Sequence, residues 1–95
     1  MPSYVILGKF TDQGTKSIKD TTQRAKALRE TAKPMGITVK DVYWTLGRYD
    51  VVLIAEGQEK DVAALLLKVA SMGNLKMETL RAFTGAELDS FLTRV

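Results

Sequence analysis

The stretch that most restricts this chain is "VYWTLGRYDVVLIAE", Val42 to Glu56. Apolar and polar residues alternate on both sides of a central glycine, the pattern of two antiparallel strands joined by a short turn. Gly47 at the first central position and Arg48 at the second suit a type II′ turn, because glycine tolerates the positive φ required there. Counting outward predicts the register: Leu46 opposite Tyr49, Thr45 opposite Asp50, Trp44 opposite Val51, Tyr43 opposite Val52. One face of the hairpin then carries Val42, Trp44, Leu46, Tyr49, Val51 and Leu53, and is expected to meet helices. The other carries Val39, Asp41, Tyr43, Thr45, Asp50, Val52, Ile54 and Glu56. That second face is too apolar for bare water and too polar for a dry core. It suits a surface covered by another subunit around a partly wet cavity.

The flanking segments complete the outline. "SYVILGKF", residues 3–10, reads as a strand. A helix is expected next, with Ile18, Ala25, Leu28 and Ala32 at helical spacing, Thr11 or Asp12 as its cap, and Pro34 and Gly36 at its end. "ITVKDVYWTL" and "YDVVLIAE" are the hairpin strands. "QEKDVAALLLKVASMGN" reads as a second helix, apolar at Val62, Leu65, Leu66 and Val69 and stopped at Gly73-Asn74. "LKMETLRAF" is a fourth strand. "TGAELDSFLTRV" opens on a capping box, Thr84 with Glu87 at N3, and continues as a helix striped by Leu88, Phe91, Leu92 and Val95. The order β-α-β-β-α-β-α predicts an α+β protein of the ferredoxin-like kind. It is expected to be a single domain over residues 1–95, with an antiparallel sheet and helices on one face.

Composition excludes several chemistries. The 95 residues contain no cysteine and no histidine, which removes disulfides, thiolate chemistry, Cys/His zinc sites and histidine acid–base catalysis. No resident cofactor or metal is expected. The net charge of +3 is mild. The basic first helix is interrupted by Asp20 and Glu30, and the third strand lacks the basic-Gly-aromatic signature of RNA-recognition modules, so no nucleic acid is expected. No apolar run is long enough to span a bilayer, and "MPSYVILGKF" has no secretion-signal pattern. The expected location is the cytoplasm.

Three stretches in order, "YVILGKFTDQG", "VYWTLGRYDVVLIAE" and "SMGNLKMETLRAFT", give the chain a resemblance to the GYD domain family of small bacterial and archaeal proteins. The signature glycine, tyrosine and aspartate fall on Gly47, Tyr49 and Asp50, with Arg48 interposed. One departure follows Glu56: the family often has an apolar residue and then Pro-Asp, whereas this chain reads "GQEKD". The resemblance implies a ferredoxin-like subunit of the dimeric α/β-barrel type, with two sheets packed face to face. It implies little about activity, because barrels of this outline host monooxygenases, isomerases, haem enzymes and ligand sensors.

The residues themselves nominate a site. Asp50, beside Thr45 and near Tyr43 on the mixed face, could orient a ligand, act as a base, or simply accept a backbone hydrogen bond next to the turn. Trp44 and Tyr49 are expected in the core. Arg81 shares a strand face with Met77, Thr79 and Phe83 and needs a carboxylate or an anionic ligand as partner. Glu78 points the other way. The leading expectation is a homodimer or higher oligomer that binds a small molecule between paired sheets through Tyr43, Thr45, Asp50 and Arg81. One alternative is a cofactor-independent enzyme, monooxygenase- or isomerase-like, using Asp50, Tyr43 and Arg81. The other is a module that serves assembly alone.

Overall fold

In the computed structural model, which describes residues 1–95, the β-rich run at the start forms β1 (Ser3–Phe10) in the middle of an antiparallel sheet. The hairpin supplies β2 (Thr38–Trp44) and β3 (Val51–Glu56), and β4 (Leu75–Ala82) closes the other edge, in the order β2-β3-β1-β4. Three longer helices, α2 (Thr21–Ala32), α3 (Glu59–Ser71) and α4 (Gly85–Leu92), accompany it, with a short α1 (Asp12–Lys16) after β1. This is the ferredoxin-like α+β arrangement expected from the element order. No helix is long and apolar enough to cross a membrane.

Alternation along β1 decides which side is dry. Tyr4 and Ile6 are buried with Val51, Leu53 and Ala55 of β3 and with Val62 and Leu65 of α3, so this face carries the core. The side chains between them, Val5, Leu7, Val52 and Ile54, lie on the opposite face, which no helix covers completely.

The hairpin register follows the count near the loop: Val42 pairs with Leu53, Tyr43 with Val52 and Trp44 with Val51. Further along it slips. Val39 pairs with Ala55 but Asp41 pairs with Ile54, so Lys40 is an extra residue in β2. A bulge of this kind turns every residue beyond it to the other face. Val39, expected on the mixed face, is therefore in the core at 7% exposure. Arg29 of α2 donates to the Val39 carbonyl next to the bulge.

The first helix is interrupted rather than continuous. Thr11 caps α1, its hydroxyl accepting from Gly14 N–H at 3.1 Å. The chain then turns through a 3₁₀ segment at Ile18–Asp20 before α2 begins. Gly14 explains why α1 is held separately: a Cβ there would lie 2.2 Å from the Asn74 carbonyl oxygen. Around that contact, Thr11 N–H donates to Asn74 O at 3.1 Å and the Gln13 amide donates to Met72 O at 2.9 Å and Asn74 Oδ1 at 3.0 Å. The Thr11 hydroxyl adds a bond to Gly73 O at 2.5 Å. "FTDQG" and "SMGN", far apart in sequence, thus form one clasp between the two halves of the fold.

At the other end of the chain, Glu87 and Thr84 exchange the capping-box hydrogen bonds, 2.9 Å and 3.1 Å. The Thr84 amide donating to Glu87 holds that carboxyl below its ordinary value of 4.5. The apolar stripe of α4 buries little in this chain: Leu88, Phe91 and Leu92 are between 44% and 53% exposed, and Val95, expected on the same stripe, lies beyond the end of the helix. Phe91 packs edge to face with Phe83, the ring centroids 5.0 Å apart.

Candidate functional site

The uncovered face of the sheet is built in cross-strand rows. Asp41, Ile54, Val5 and Leu80 form one row, and Tyr43, Val52, Leu7 and Glu78 form the next. Glu56, Ser3 and Ala82 close the row beyond Asp41, and Lys9 faces Lys76 at the opposite end. The middle of the face is therefore apolar, one end carries Glu56 and Asp41, and the other carries Lys9 and Lys76 with Glu78 in the row beside them. Lys40 lies 3.8 Å from Glu56, an exposed pair of little energetic weight.

The loop at the basic end is wider than a two-residue turn. Gly47 has φ +126°, as its role in the turn requires. The loop is closed by Thr45 N–H donating to Asp50 O at 2.8 Å and by the Thr45 hydroxyl donating to Tyr49 O at 2.6 Å, with no backbone bond between Leu46 and Tyr49. The expected type II′ geometry is thus replaced by a longer bend. That bend carries Tyr49 to the uncovered face, where its hydroxyl donates to Glu78 at 3.2 Å. Tyr49 is therefore not a core residue. Trp44 stays on the helix-facing side, its indole N–H donating to the Thr21 hydroxyl at 3.0 Å, but at 42% exposure it sits at the open edge of the sheet and is not a core residue either.

Asp50 has a definite local task. Its backbone N–H donates to Gly8 O at 2.8 Å, and its carboxylate accepts from Phe10 N–H at 2.9 Å. Phe10 lies beyond the last residue of β1 that pairs with β3, so the side chain continues a ladder that the backbone of β3 has left. A buried or half-buried N–H without such an acceptor is costly. Of the readings open to Asp50, the backbone hydrogen bond is the one this geometry displays.

Arg81 lies on the other side of the sheet. It pairs with Tyr4, and its guanidinium sits 5.5 Å from the Tyr4 ring and 4.4 Å from the Phe83 ring. It also donates to the Ser3 and Ala82 carbonyls. Register against β1, a contact between residues distant in sequence, puts it there. Within one chain, Thr45 and Asp50 close the same loop, Tyr43 lies on the uncovered face opposite Val52, and Arg81 joins neither.

Lys9 and Lys76, to which the sequence assigned no role, complete the basic end beside Arg48 and Tyr49 of the loop. Lys9, Lys76, Arg48, Tyr49, Glu78 and Leu7 line a shallow hollow of about 240 Å³. Alternation in β1 carried a signal for Lys9, since it falls in step with Val5 and Leu7. Glu78 needed the loop geometry, because Tyr49 reaches it only through the wider bend. No group of three or more His, Cys, Asp or Glu side chains comes together in a metal-binding cluster. The arrangement is suited to docking: an apolar centre rimmed by charges, and the polar groups of Thr45 and Asp50 already committed to backbone.

Known proteins place this geometry in context. The chain is 33% identical over 90 residues to a protein of Thermus thermophilus named glutamine synthetase and cystathionine beta-lyase binding protein, covering 93% of this chain and 95% of that one. Its fold is similar to the crystal structure of MtbAldR, with a TM-score of 0.68 at 15% identity over 87% of this chain. The similarity spans 53% of the MtbAldR chain, about half of it, and shows a shared fold. The GYD domain family matches residues 4–92, which takes in the loop with Gly47, Tyr49 and Asp50 and both halves of the clasp, and this chain belongs to that family.

Proposed function

We propose that this chain is a binding subunit, which pairs with a second copy through the uncovered sheet face and docks as a pair on another protein. The observation that carries the reading is the sorted composition of that face. Val5, Leu7, Val52, Ile54 and Leu80 form its centre, with Glu56 and Asp41 toward one end and Lys9 and Lys76 at the other, where Glu78 lies beside the lysines. Two such faces related by a two-fold axis, with strands running oppositely, set each acidic end over the partner's basic end and stack the apolar centres. Isologous contact needs this self-complementarity. The name of the Thermus thermophilus relative supports a protein as the further partner. The commitment of Asp50 and Thr45 to backbone groups favours binding over acid–base turnover at that loop.

Sedimentation at micromolar concentration tests the pairing, with a dimer as the expected species. Titration of the protein into purified glutamine synthetase and into cystathionine beta-lyase tests the docking. A monomer that binds neither enzyme would end the proposal. A second reading, a small anionic molecule held between the paired sheets, is supported by the hollow beside Lys9, Lys76 and Arg48. It predicts that phosphate or a dicarboxylate raises the melting temperature of the wild type and not of Lys76→Glu.

A further inference from the structure

On the other side of the sheet, α2 and α3 do not close over the strands between them. The gap is a cavity of about 130 Å³ walled by Leu28 of α2, Leu65 and Val69 of α3, and Val42, Val51 and Leu53 of the sheet. Small side chains account for the space: α2 presents Thr21, Ala25, Ala27 and Thr31 to it, none of which reaches across. For scale, a dry apolar cavity of roughly 150 Å³ accommodates benzene.

The polar part of the wall has one sign. Of the 17 lining residues 12 are hydrophobic; Arg24 and Lys68 are the charged ones, and no carboxylate is among them. Arg24 is also incompletely satisfied. Its Nη1 donates to the Ser17 carbonyl at 3.0 Å and the Ser17 hydroxyl at 3.1 Å, while its Nη2 is buried with no hydrogen-bond partner. A buried guanidinium donor without an acceptor is unfavourable, and a carboxylate is the acceptor that best matches it. Lys68 is exposed and adds a second positive charge at the rim.

We propose that this cavity binds a small apolar carboxylate, its hydrocarbon chain against Leu28, Leu53 and Leu65 and its charged group on Arg24, with Lys68 as the outer cation. The cavity volume limits the chain to about five or six carbons or one aromatic ring. This site is independent of the pairing and docking proposed above, since it lies on the opposite side of the sheet from the uncovered face.

The chain has a single tryptophan, Trp44, and it lines the cavity, so its emission reports occupancy directly. Hexanoate, 1-hexanol and hexylamine are titrated against the full chain, with Trp44 emission and melting temperature both recorded. Hexanoate should give a saturable change in emission and raise the melting temperature. The neutral alcohol should bind at least about tenfold more weakly, and the amine more weakly still. Arg24→Gln should bring hexanoate down to the level of hexanol while hexanol still gives a saturable change in Trp44 emission, which separates loss of the anchor from loss of the fold. Equal binding of all three probes, a carboxylate preference that survives Arg24→Gln, or no saturable response in either measurement would overturn the proposal. So would Trp44 emission that depends on protein concentration without added probe, because a second copy, its exposed α4 stripe for instance, would then be filling the gap.

Discussion

The two faces of the sheet are cut from the same strands and differ by one residue step. Along β3, Val51, Leu53 and Ala55 are buried, while Val52 and Ile54, just as apolar, are only half covered. Hydrophobicity by itself therefore does not say which face holds the core. What distinguishes them is the company each keeps. The covered face meets α2 and α3 and has no charged residue in its centre. The uncovered face carries charges around an apolar centre, carboxylates at one end and at the other two lysines with Glu78 beside them. An apolar side chain on the first is part of what folds the chain, and on the second it is available for an encounter between chains.

The largest expected effect tests that division. Leu53→Ala should destabilise the fold by about 2–5 kcal/mol, the range for truncating a fully buried leucine. Ile54→Ala, one residue on, should cost the isolated chain far less and weaken the dimer instead. Denaturant melts and sedimentation of both variants decide it; equal losses of fold stability would dissolve the distinction between the faces. Next in size is Asp50→Ala, which leaves Phe10 N–H without its acceptor. Its expected cost is about 1–3 kcal/mol in the same melts. An unchanged midpoint would free Asp50 for a ligand role. Gly47→Val belongs in the same range, about 1–3 kcal/mol, because its φ of +126° is strained for a β-branched residue.

Smaller effects sharpen the picture of the uncovered face. Lys76→Glu should weaken pairing about tenfold or less, in proportion to an interfacial charge at a rim, and Glu56→Lys in the same chain should restore it. Rescue requires the opposed ends of a two-fold pair; two additive losses would point to another geometry. The smallest effect lies in α4. A carboxyl whose folded pKa is depressed contributes stability above its unfolded value, and that contribution is lost as pH falls through the folded value. Helical signal from α4 should therefore decline below about pH 4.5, and Glu87→Gln should remove the dependence while leaving the rest of the spectrum unchanged.

The sequence was most legible where structure is local. The cap at Thr11, the stops at Gly36 and Gly73, the capping box of α4 and the pairing of Trp44 with Val51 each depend on a few neighbouring residues, and each is present. Counting failed where one residue changed the phase. Lys40 inserted into β2 sent Val39 to the core, and a bend longer than two residues brought Tyr49 out to Glu78. Arg81 was misjudged for a different reason. Its face is set by pairing with Tyr4, and no residue near Arg81 in the sequence records that partnership. The candidate site was legible only in part: counting set Thr45 opposite Asp50, where the Thr45 N–H does donate to Asp50 O, but the duties of Thr45 and Asp50 depend on Tyr49 O and Phe10 N–H. Arg24 gave no signal at all, because an unsatisfied donor is a property of packing.

The clasp between residues 11–14 and 72–74 has a consequence for the path by which the chain acquires its shape. Its side-chain bonds join positions 59 to 62 residues apart, Gln13 to Met72 among them. Closing so long a loop costs chain entropy before any of these bonds can form, so they are favourable only after the strands around them have assembled. Interactions made that late act on escape from the native state and leave the rate of reaching it almost untouched. Gln13→Ala is therefore expected to steepen none of the folding arm of a denaturant chevron and to raise the unfolding arm along its length. The opposite pattern, a slower folding arm, would place the clasp among the first contacts made. In kinetic terms, two of the stretches that mark the family are a latch on the finished fold.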